Sequence, residues 1–286
     1  MRTRLPACAV ECHSWKGETF IAIGMYQIHE KLGTREGCVS VLKMNDEAEP
    51  ANGRVCPLPA LAGEVSSLSF PRGGVLDLKW SPEATNGGGP GMPGPFLACA
   101  LAEATVGIYA LRSSACDAGL HLAPMAFGAV DGGGIAPTVS SPLCLSVDWL
   151  RPSMSASCAA ISASQSNGVA SAWRFGQGRG DGRGLGPAFS AASDMELMNC
   201  WQAHDKYDRS TEIWTSAWDR HLGGPVLYTG ADDGLLKCWD LRIIGPRARP
   251  KAMFTNTEHS AGVCRYVLEC QDPTAVSVPH RRVSNY

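Results

Sequence analysis

The sequence predicts an all-β protein assembled from repeated antiparallel units, and three observations predict it. Apolar residues recur with the period-2 alternation of strands, between turns rich in Gly, Pro, Asn and Asp. A strand ending near a tryptophan recurs at Trp80, Trp149 and Trp218, and the intervals 80 to 149 and 149 to 218 are both 69 residues. No 3.6-residue pattern of any length competes with the strands.

The units follow in order. The first is loose: "FIAIGMYQIHE" (20–30) and "GCVSVLKM" (37–44) make two strands of a unit spanning about 8–45. The second spans about 70–112. It opens with "GVLDLKWS" (74–81) and continues with "LACALAEATVGIYAL" (97–111), an apolar strand, a turn at Glu103, and a second strand carrying Tyr109. The third spans about 140–175. "LCLSVDWL" (143–150) leads to "ISASQSNGVASAWRF" (161–175), with Asn167-Gly168 at the turn and Trp173 near the close. The fourth spans 201–243 and holds "IWTSAWDR" (213–220) and "LYTGADDGLLKCWDLR" (227–242). Residues 254–266 read as the start of a further unit, and 267–286 as a divergent tail.

Repeats of this kind fold as blades of a β-propeller, in which one blade takes ~40–45 residues. The longer interval here is filled by Gly- and Pro-rich inserts at 83–95, 128–137 and 176–187, which cannot bury a core and are expected as surface loops. About four blades and the start of a fifth are expected. A closed ring usually has 4–8 blades, and these units are read as an incomplete, truncated ring, with a closed four-bladed ring as the alternative.

The bulk composition excludes several functions. With 286 residues and a formal net charge of −2, the chain has no basic balance suited to nucleic acid. No apolar run is long enough to span a membrane, and the N-terminus lacks the apolar core of a signal peptide. A cytoplasmic location is expected. The 12 cysteines include no C-x-x-C pair, so they read mostly as small buried residues of a reduced protein, with no metal site and no cofactor.

The fourth unit, from "WQAH" (201–204) to "WDLR" (239–242), resembles a WD repeat, with Ala203-His204 where Gly-His is usual. That resemblance implies a structural hydrogen-bond relay of His204, Thr215, Asp233 and Trp239. Elementary chemistry agrees: a buried imidazole needs a partner to fix its tautomer, and a buried indole N–H needs an acceptor. Asp before Gly also suits a tight turn. Asp232 is not needed by the relay and stays open to a functional use. The other units are degraded versions of this one.

Together, "WQAH" (201–204), "YTGADDGLLKCWDLR" (228–242) and "EHSAGVCRY" (258–266) resemble the WD-repeat family of diphthine methyl-ester hydrolases. "GMYQ" (24–27), "VLDLKW" (75–80) and "LSVDW" (145–149) fall in the same order as similar strings there. Ala231 departs mildly, standing where Gly or Ser is usual. The resemblance implies hydrolysis of the methyl ester of methylated diphthine on elongation factor 2, a step of diphthamide synthesis. Its implied partners are elongation factor 2 and other proteins of that pathway.

Ester hydrolysis needs a base, an activated water or nucleophile, and donors for the oxyanion. The sequence has no GxSxG elbow and no metal-ligand spacing. The candidates in the most family-like region are Asp232, His259 and His204. His259 heads the next unit, as a catalytic residue or as another relay histidine. Asp148 and Asp219, which flank the recurring tryptophans, read as turn residues. The alternative function is a non-catalytic WD-repeat scaffold for other proteins.

Overall fold

The computed structural model describes residues 3–31, 34–44, 61–70, 73–82, 94–113, 119–129, 142–150, 159–175, 195–206, 209–220, 225–243 and 251–265. The tail at 267–286 and most of each Gly/Pro insert lie outside these residues. Gly128 and Ala129, counted above in an insert, are the end of a strand.

Four four-stranded antiparallel sheets follow one another along the chain, each a simple meander, and no helix occurs among the described residues. The first holds β1 (Ala7–Trp15), β2 (Glu18–His29), β3 (Thr34–Met44) and β4 (Leu61–Phe70). The second holds β5 (Val75–Trp80), β6 (Phe96–Leu101), β7 (Thr105–Ser113) and β8 (Leu120–Ala129). The third holds β9 (Cys144–Leu150), β10 (Ala159–Gln165), β11 (Val169–Phe175) and β12 (Met195–Gln202). A small hairpin, β13 (Asp205–Lys206) with β14 (Arg209–Ser210), precedes the fourth sheet of β15 (Ile213–Trp218), β16 (Val226–Ala231), β17 (Leu236–Asp240) and β18 (Phe254–Asn256). The sequence units and the sheets are therefore out of phase. "WQ" of the fourth unit closes the third sheet, and Phe254–Asn256, read above as the start of a further unit, closes the fourth.

The first strands of consecutive sheets touch, β1 with β5, β5 with β9 and β9 with β15, so the sheets stack face to face in chain order. Three apolar layers fill the gaps. β6 shows how one strand serves two of them: Leu97, Cys99 and Leu101 pack toward the first sheet, while Phe96, Ala98 and Ala100 pack toward the third. Every residue of β6 and of β16 is buried, so these strands read as continuous apolar runs. Small residues predominate in β6 and β10 because sheets packed on both faces leave room for Ala, Cys and Ser.

The recurring tryptophans link the sheets. Trp149 Nε1 donates to the carbonyl of Lys79 at 2.9 Å, and Trp218 Nε1 to that of Asp148 at 3.2 Å. Each acceptor is the residue just before the preceding tryptophan. Trp80 Nε1 makes the same step to Glu11 in β1, at 3.4 Å. The equal spacing thus marks equivalent positions on the innermost strands.

Among the described residues, no disulfide joins the eight cysteines. Cys38, Cys99, Cys144 and Cys238 are buried as expected, but Cys8, Cys12, Cys200 and Cys264 are exposed. Cys8 and Cys12 lie on the first strand beside a cavity and Cys200 on an outer strand, where no neighbouring sheet covers them.

Candidate functional site

Two clusters of polar side chains stand out. The first lies between the third and fourth sheets. His204 is fully buried, its Nδ1 is 2.9 Å from Asp233 Oδ2, and its Nε2 is 2.8 Å from Thr229 Oγ1. Trp239 Nε1 donates to the same Thr229 hydroxyl at 2.9 Å. One proton arrangement satisfies every group. The indole donates to Thr229, Thr229 O–H donates to Nε2 of a neutral His204, and Nδ1–H donates to the Asp233 carboxylate. Asp233 Oδ1 also accepts the Leu235 backbone N–H at 2.9 Å across the turn, and Gly234 takes the left-handed φ of 76° that the turn requires. Burial pushes the Asp233 carboxyl up, but the hydrogen bond from His204, the Leu235 N–H and Lys237 together hold it below the ordinary value.

The relay therefore contains His204, Asp233 and Trp239, but its hydroxyl is Thr229 and not Thr215. Leu227, Thr229 and Ala231 point from β16 into the layer shared with the third sheet, where Trp239 also lies. Thr215 is on β15, paired with Gly230 and facing the central cavity. The His204 ring, also a catalytic candidate from the sequence, is out of solvent and has both nitrogens engaged.

Asp232 is exposed and accepts the indole N–H of Trp214 at 2.9 Å. It fixes an aromatic wall of the central cavity, since Trp214 lines that space. His259 occupies beside Gly234 the station that His204 occupies beside Gly168, each with its carbonyl close over the glycine. His259 Nε2 is buried and meets no hydrogen-bond partner among the described residues. The structure does not bring His259 into the relay.

The second cluster lines a cavity of about 1310 Å³ bounded by the first strands of all four sheets. The residues one and three before each recurring tryptophan face it: Asp77 and Lys79, Ser146 and Asp148, Thr215 and Ala217. Glu11 of β1 joins them and pairs with Lys79, whose Nζ also lies 3.8 Å from Asp77 Oδ1. Burial works against the Lys79 ammonium, but Asp77, Glu11 and Asp148 outweigh it and raise its pKa. Asp77 is pushed up by burial, against the pull of Lys79 and the Val147 N–H. Asp148 lies inside β9, in neither a turn nor a strand end, which corrects the sequence reading. Burial raises its carboxyl to about 6, against the Trp218 N–H, Arg220 and other donors. A buried acid with a shifted pKa in a cleft is a physical signature of a functional site. Sequence reasoning missed this row. The signal was present as polar residues alternating along "LDLKW" and "SVDW", strands whose other positions are apolar.

No family model matches the chain. Two curated proteins do match, over a short segment. The human one is 36% identical over 70 residues, and the mouse one 32% identical over 72. Both are diphthine methyltransferases. This chain is similar to them in part. The matched segment is 24–25% of this chain and 13% of each diphthine methyltransferase. Among the described residues, no three His, Cys, Asp or Glu side chains are grouped to hold a metal ion, and no helix is long and apolar enough to cross a membrane.

Proposed function

We propose that this chain acts in diphthamide synthesis and hydrolyses the methyl ester of methylated diphthine on elongation factor 2. The observation that carries this reading is the similarity to the two diphthine methyltransferases, joined to the "WQAH…DDGLLKCWD…EHSAGVC" constellation. In this reading the four sheets are blades of a WD-repeat propeller, and the cavity along their first strands holds the reacting group. The cavity supports it chemically. It is larger than the ~300–1,000 Å³ typical of small-molecule pockets, and it is lined by ionisable groups able to move a proton.

The test is incubation of the full chain with elongation factor 2 bearing methylated diphthine. Methanol release, matched by loss of the methyl mass from the modified histidine peptide, is the expected result. Absence of methanol, or a gain of methyl mass when a methyl donor is supplied, sinks the hydrolase reading. Stable capture of elongation factor 2 without turnover would favour the scaffold.

A further inference from the structure

We propose that Asp148 is the general base of the central cavity, acting on a water that attacks a small carboxylic ester, with Arg220 as its positioning residue. The proposal rests on the hydrolase reading and adds the residue that performs the proton transfer.

Each described carboxylate near the cavity or the relay is held by its own partners. Asp233 is closed off with His204, and Asp219 accepts the Tyr228 hydroxyl. Glu11 is tied to Lys79. Asp77 has both oxygens occupied, Oδ1 by the Leu78 N–H and Oδ2 by the Val147 N–H. Asp148 differs. Its Oδ2 is fixed by the Trp218 backbone N–H at 2.9 Å, the Trp149 amide also draws on the carboxylate, and Oδ1 lies 3.7 Å from the Arg220 guanidinium. That distance is too long for a good hydrogen bond. The carboxylate is thus anchored through Oδ2, while its Oδ1 side, toward Arg220, borders the polar cavity.

Four cationic or donor groups face the carboxylate. Arg220 follows β15 in the fourth sheet, Lys79 comes from β5 of the second, and the Trp218 and Trp149 amides complete the set. They keep Asp148 ionised at neutral pH despite its burial, which is the state a base needs.

Asp148 Oδ1 takes a proton from water as the water oxygen bonds to the ester carbonyl carbon, and the carbonyl π pair moves onto its oxygen. Collapse of that oxyanion breaks the bond to the methoxy oxygen, which takes the proton from Asp148 and leaves as methanol. The carboxylic acid formed releases its proton to solvent.

The experiment measures methanol release from elongation factor 2 bearing methylated diphthine, across pH, for the full chain and two variants. Asp148→Asn keeps the acceptor for the Trp218 amide and removes the base. The expected loss in kcat is on the order of 10²–10⁴-fold, with KM little changed. Arg220→Gln removes a half-exposed cation, so the fold is expected to tolerate it. Losing that charge destabilises the ionised carboxylate, so the acid limb of the rate profile moves to higher pH. Asp148→Asn retaining the rate within about threefold, or Arg220→Gln leaving the acid limb in place, overturns the assignment. If the unaltered chain releases methanol and both variants match it, only the Asp148 assignment falls. If the unaltered chain releases none, the hydrolase reading falls with it.

Discussion

Replacing Thr229 by Val removes one hydroxyl and leaves the shape of the side chain unchanged. Thr229 is fully buried, and its hydroxyl joins two other buried groups, the Trp239 N–H at 2.9 Å and His204 Nε2 at 2.8 Å. Val can neither accept from the indole nor donate to the imidazole. Each group left unsatisfied costs about 1–3 kcal/mol. Their neighbours cannot compensate, because His204 Nδ1 is already committed to Asp233. Thr229→Val should therefore destabilise the chain by about 3 kcal/mol, roughly a hundredfold in the folding constant. Thr215→Val is the control. Thr215 is partly exposed at the cavity wall and lies outside the relay, so its cost should stay within about 0.5 kcal/mol. Urea unfolding followed by tryptophan fluorescence gives both numbers. Equal midpoints for the two variants would refute the relay as drawn.

Gly168→Ala should cost more than Gly17→Ala. Both glycines have φ of 77°, but a Cβ at Gly168 would lie 2.2 Å from the His204 carbonyl, whereas Gly17 faces open space. The shared backbone strain is about 1–2 kcal/mol, and the excess at Gly168, read as a lower melting temperature, measures the contact that seats His204. Asp148 has a folded pKa raised from 3.8 to about 6, so the native state binds the extra proton and stability falls as pH rises through that window. Asp148→Asn should then be more stable than the unaltered chain at pH ~7.5, by up to about 3 kcal/mol, with the gain shrinking toward pH ~4. A gain independent of pH would contradict the assigned cause. Asp233 works in the opposite sense. Its folded pKa is depressed, so its contribution is present above the ordinary carboxylate range and is lost as pH falls through the folded value. Asp233→Asn should weaken the acid-side fall in stability seen in a pH series of denaturation midpoints.

Much of the fold was legible in the chain because strand alternation and turn residues act locally. "ASAWRF" and "LLKCWD" each follow an Asx-Gly turn, and both are strands. The recurrence of Trp80, Trp149 and Trp218 pointed to equivalent positions, and their indole hydrogen bonds match. The unit boundaries were less legible. An outer strand such as Met195–Gln202 has little burial to pattern it, so sequence units and sheets fell out of phase.

The sequence by itself determined the all-β class, the order of the meanders, and the Asp233-Gly234 turn, because each depends on neighbours within one or two strands. Only the tertiary structure decided which threonine completes the relay. Thr215 and Thr229 both lie on strands between His204 and Asp233, and what separates them is the face each presents to the third sheet. Tertiary structure also decided that Asp77 and Lys79 share one cavity with Asp148, which lies far along the chain in another sheet. Stacking the first strands of successive sheets brings them together, and the burial that follows moves Asp148 to a pKa that no local pattern encodes.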